Sequence, residues 1–141
     1  MKDQVVLRII TKLLVPYMLV FGVYVIAHGE LGPGGGFQGG VILAAGFILY
    51  GLVWGKEELH RFVPRRVTDL LATGGVLLYA GVGVATMALG GRFLDYSMFN
   101  PEHPGDGEAL GMLLIEYGVG ITVCTVMITI YDMISEPEDV A

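Results

Sequence analysis

The sequence holds one cysteine in 141 residues, Cys124, set inside an apolar run. That excludes an intramolecular disulfide, and neither a Cys-x-x-Cys pair nor a Cys/His cluster of zinc-site spacing is present. Cys124 reads as a small apolar packing residue. Charge is scarce as well: charged residues make up 16% of the chain, against about a quarter in an average soluble domain. The formal net charge is −6 and there is no basic stripe with interleaved aromatics, so nucleic acid is not an expected partner. No residue pattern supports nucleophilic, metal or hydride chemistry. The chain is therefore not expected to be an enzyme, and no cofactor or bound metal is expected.

What the sequence has is apolar surface, at 54% hydrophobic residues. A membrane-crossing helix needs about 20 largely apolar residues, and four stretches meet that need: 5–27, 37–54, 70–89 and 110–134. The expected fold is all-α, an integral membrane four-helix bundle forming one domain over residues 1–141. The connectors are rich in residues that helix interiors reject. His28–Gly36 contains Pro33 and a glycine run, Gly55–Val67 is charged and contains Pro64, and Gly90–Ala109 contains Pro101 and Pro104. Asp69 is expected to cap the third span, and Pro16 to kink the first. Residues 1–27 have some features of a cleaved leader, but the basic residues spread as far as Lys12 and Pro16 interrupts the run, so they read as a retained span.

Four spans put both termini and the second connector on one side of the bilayer. That side collects Lys2, Arg8, Lys12, Lys56, Arg61, Arg65 and Arg66, and the other has only Arg92. The bias predicts cytoplasmic termini. The second span carries a small-residue stripe, Gly36-xxx-Gly40-xxx-Ala44; the third adds Gly74, Gly75, Gly81 and Gly83, and the fourth Gly118 and Gly120. Such residues let helix backbones approach closely in lipid. They are expected to hold the four helices together and to dock other membrane subunits.

The segment His28-Gly-Glu-Leu-Gly-Pro-Gly-Gly-Gly-Phe-Gln-Gly-Gly40 is the most unusual stretch, with seven glycines in thirteen residues. It lacks the Gly-Lys-Ser/Thr ending of a phosphate-binding loop and the strand context of a dinucleotide-binding turn. It reads as a sharp return between the first two spans. It is either a simple outer turn or a loop that re-enters the membrane, which is tolerated only where protein or water covers the backbone. Pro33, Gly34, Gly35, Gly36, Phe37, Gln38, Gly39 and Gly40 are its candidate packing residues. Glu116 lies six residues into the fourth apolar run. An ionisable group at that depth usually faces a bundle interior or a wet cavity, which makes it a candidate proton or cation relay. His28, with Glu30 two residues on, is a second candidate relay, or else a helix-end cation. His60 and His103 are expected to be solvated, and Asp132 to be interfacial without a special role.

The run HGELGPGGGFQGGVI resembles the hallmark of the MnhB/MrpB family, the B subunit of multisubunit Mrp-type cation/proton antiporters. It matches the family pattern at every fixed position from His28 to Gly40. The resemblance implies an accessory transmembrane subunit of a Na+/H+ antiporter in the cell membrane, driven by the proton motive force. It also implies large complex I-like partners, which carry the proton path, and small membrane subunits alongside. Two alternatives stay open: an Mrp-like subunit of an ion-pumping, hydrogenase-type oxidoreductase, and a scaffold through which no ion passes.

Overall fold

A computed structural model of the chain describes residues 5–29 and 34–135. Every regular element among them is helical: α1 (Val5–Ala27), α2 (Gly36–Trp54), α3 (Lys56–Phe62), α4 (Arg65–Ala88), a 3-10 turn (Tyr96–Phe99) and α5 (Pro104–Ile134). Four of these, α1, α2, α4 and α5, are long and apolar enough to cross a membrane. The fold is an all-α membrane bundle, and its exposed surface agrees. Val20 and Leu70 are each 72% exposed and Leu77 64%, along faces where lipid supplies the apolar cover that water cannot.

α1 packs chiefly on α2, α4 chiefly on α5, and α2 on α5, so α2 and α5 form the middle of the assembly. The expected small-residue stripe of α2 lies on the face turned to α5. Ala44 is fully buried with Cys124 and Ile128, while a Cβ on Gly40 would lie 2.7 Å from the carbonyl oxygen of Gly120. Gly75 of α4 is likewise pressed against Gly118 of α5. The third-span glycines do not all serve this purpose: Gly74 and Gly81 have open space where a side chain would stand. Hydroxyls inside the spans are satisfied within their own helix, as Thr122, Thr125 and Thr129 donate to the carbonyls of Gly118, Ile121 and Thr125.

Several expected boundaries shift. α4 starts at Arg65, directly after Pro64, so Asp69 lies inside the helix and does not cap it. Proline is well suited to a helix entrance because its missing N–H has no partner to lose. The charged connector after α2 is not a plain loop. Gly55 takes φ +102°, a left-handed value that glycine adopts at little cost, and the chain turns directly into α3. α3 has Glu57 and Glu58 in its first turn and His60 and Arg61 in its last, the arrangement the helix dipole favours. α1 runs unbroken through Pro16. α5 begins at Pro104, so the polar stretch before Leu110 is helical too.

The connector between α4 and α5 is held by Thr86, which is fully buried. Its hydroxyl receives the N–H of Leu94 at 3.0 Å and lies 2.9 Å from the Gly83 carbonyl and 3.0 Å from that of Arg92. Phe93 folds back onto Gly83, and the 3-10 turn settles against Gly107 and Gly111 at the start of α5.

Candidate functional site

The two sequence features that stood out separately, the glycine-rich motif and Glu116, are in contact. Gly29 follows the last turn of α1, and the space where its side chain would stand is filled by the Glu116 carboxylate. Gly35 approaches the same carboxylate: a Cβ there would be 3.2 Å from Oε1. Gly36, the first residue of α2, is packed on the Glu116 backbone, with its missing Cβ 3.0 Å from the Glu116 Cα. Glycine is required at this point because two backbones meet where any side chain would intrude. Gly39 faces the other way, onto Gly22 and Ile26 of α1. Gly29, Gly35 and Gly36 thus seat the end of α1 and the start of α2 against α5 at Glu116, and Gly39 joins α2 to α1. Oε2 of Glu116 is shut off from the surface.

The remaining expected residues divide. Phe37 is 61% exposed and Gln38 is also exposed, so the bulky side chains of the motif point away from the chain. The His28 ring is exposed and stacks on Tyr24, with centroids 4.1 Å apart. Glu30 and Pro33 lie outside the described residues. Glu116 lies level with the end of α1 and the start of α2. It follows the start of α5 by twelve residues, or about 18 Å of helix rise, so α5 continues well past the level at which α1 and α2 turn.

A second polar group was missed. Asp132 is only 3% exposed, and its Oδ2 lies 2.9 Å from Nε2 of His60. Lys56 donates from Nζ to the Asp132 backbone carbonyl at 2.6 Å. The expectation that His60 is solvated therefore fails, and Asp132 is buried and hydrogen-bonded. α3 is amphipathic, and its single turn of side chains pins it beneath the bundle: Leu59 is fully buried against Gly51 and Tyr131, which sets His60 and Lys56 over the end of α5. The signal in the sequence was the Lys56-x-x-x-His60 spacing, which places both on one helical face. It was obscured because the segment read as a loop.

Near Asp132 a cavity of about 220 Å³ opens, lined by Arg65, Thr68, Asp69, Thr129, Asp132 and Met133. Among the described residues no three His, Cys, Asp or Glu side chains converge as a metal cluster would require.

Four apolar helices tied by glycine-to-backbone contacts, with Glu116 seated among them, define a small polytopic membrane protein whose packing is specific and whose outer faces are uncovered. Residues 6–129 match the family model described as "Domain related to MnhB subunit of Na+/H+ antiporter". A Staphylococcus epidermidis protein named "Putative antiporter subunit mnhB2" is 34% identical over 136 residues, 95% of this chain and 96% of that one. Proteins of the same name from Staphylococcus haemolyticus and Staphylococcus aureus strain Newman are each 34% identical over 131 residues, 92% of both chains. The chain belongs to the MnhB family.

Proposed function

We propose that the chain is an accessory transmembrane subunit of a multisubunit Na+/H+ antiporter in the cell membrane. Exchange is driven by the proton motive force, both termini are cytoplasmic, and larger complex I-like subunits and other small membrane subunits are its neighbours. Family membership supports the antiporter assignment. The observation that carries a role in the ion path is the seat of Glu116: an acidic side chain on a spanning helix, pressed against Gly29 and Gly35. An ionisable side chain enclosed on such a helix is costly and is usually retained for transport or pairing. In this reading Glu116 passes a proton or cation, and His28 and Glu30 are the further candidate relays. Phe37 and Gln38, exposed beside it, face a neighbouring subunit, as do the open glycines Gly74 and Gly81. Orientation follows the seven-to-one distribution of Lys and Arg between the two sides.

The test is Glu116→Gln, which preserves shape and removes the charge, assayed for sodium-dependent proton exchange in everted vesicles. Loss of exchange with an intact complex is expected. Normal exchange with normal assembly would leave this chain as a scaffold, with the ion path in its partners.

A further inference from the structure

The cavity beside Asp132 presents several acceptors, and Arg65 is its one cationic lining residue. Thr68 is 2% exposed and donates its hydroxyl hydrogen to the Arg65 carbonyl at 2.7 Å. Thr129 donates its own to the Thr125 carbonyl at 3.0 Å. Each hydroxyl is thereby left with lone pairs alone to offer the cavity it lines. Asp132 spends Oδ2 on His60, which is not a lining residue, and Oδ1 has no hydrogen-bond partner among the described residues. A buried carboxylate oxygen without a donor is costly. The cavity, at about 220 Å³, has room for a small ion with water. Its lining holds two carboxylates, Asp69 and Asp132, and one guanidinium, Arg65, while Lys56 and His60 contact Asp132 from outside it.

We propose that this cavity binds a small monovalent cation through Asp132 Oδ1 and the hydroxyl oxygens of Thr68 and Thr129. Hard cations take oxygen ligands, and a divalent ion would call for more carboxylates than converge here. The Arg65 guanidinium in the lining and the Lys56 ammonium beside it disfavour a divalent charge. His60 and Lys56 fix the Asp132 side chain and backbone from the α3 side, so the ligand is positioned before the ion arrives. The inference stands apart from the antiporter assignment, because its readout is bound ion and not exchange.

The experiment uses the assembly that contains the full chain, purified in mild detergent and equilibrated with radiolabelled sodium against choline. Asp132→Asn is expected to lower the bound sodium by one ion per copy of the chain. Thr129→Val, which keeps shape and carboxylate, is expected to weaken that ion's affinity about tenfold, comparable to losing a supporting contact at a metal site. Equal binding by wild type and both variants would overturn the site. If Asp132→Asn does not assemble, an unchanged affinity in Thr129→Val would overturn it alone. Exchange measured on the same preparations separates the two readings: no exchange in the wild type, with the difference in bound sodium intact, counts against the antiporter and not against the cavity.

Discussion

Glu116 and Asp132 sit on the same helix, four turns apart, and are held in opposite ways. Glu116 is positioned by absence: glycines at positions 29, 35 and 36 remove the atoms that would fill its place, so backbone shape fixes the carboxylate. Asp132 is positioned by presence: His60 and Lys56 reach across from α3 and bind its side chain and carbonyl. The first arrangement leaves no room for an added atom at Gly36, where the neighbour is backbone. The second depends on side-chain donors that substitution can remove. Close backbone packing is the commoner route to rigidity in lipid, whereas side-chain donors of this kind belong where water reaches.

The contrast predicts unequal sensitivity. Gly36→Ala should be the most damaging change, because its new Cβ meets the Glu116 backbone, which cannot turn aside. A loss of about 1–3 kcal/mol is expected from such overpacking, read as a lower melting temperature of the detergent-solubilised assembly. Gly74→Ala, added into open space, is the matched control and should leave it unchanged. If the two behave alike, the glycine seat is not what fixes Glu116. Gly29→Ala should be milder for stability and sharper for function. There the obstacle is a flexible carboxylate, which moves, so sodium-dependent proton exchange should fall while the assembly stays intact. At the other carboxylate, His60→Ala removes the Oδ2 partner of Asp132. About 1–2 kcal/mol should be lost, less than a fully buried charged hydrogen bond contributes because the His60 side chain is 24% exposed. Proteolysis between α2 and α4 should accelerate as α3 loosens.

The same contrast explains what could be read in advance. The helices and the glycine contacts were legible because lipid leaves few options: long apolar runs must be helices, and small residues on one face must meet something. The α2 stripe through Gly36, Gly40 and Ala44 found α5 as its partner for that reason. That Glu116 belongs under the motif was not legible, since nothing in the sequence gives the relative height of α2 and α5. The Asp132 group was hidden more thoroughly. It depends on Gly55 turning the chain into a seven-residue helix, and a charged segment of that length between two spans reads equally well as a loop. Thr86 was hidden likewise, because one buried hydroxyl organising a connector carries no periodic signal.

The smallest effect expected extends the comparison further along α5. Tyr96, in the 3-10 turn, lies against Gly111, another position where a glycine admits a neighbour. Burial, and secondarily the nearby Tyr79, raises its phenol above the ordinary value of 10.0. In the unfolded chain this hydroxyl ionises near that ordinary value, while the folded chain keeps the proton. The folded state therefore binds more protons above pH 10, and stability falls as pH rises through the unfolded value until the folded phenol ionises as well. Tyr96→Phe keeps the ring against Gly111 and removes the titration. Its stability at neutral pH should stay near that of the wild type, and its alkaline loss should be shallower when melting is followed from pH 9 to 11. A variant that is already destabilised at neutral pH would instead show that the hydroxyl, and not the glycine contact, holds the turn on α5, which would make this end of the helix resemble Asp132 more than Glu116.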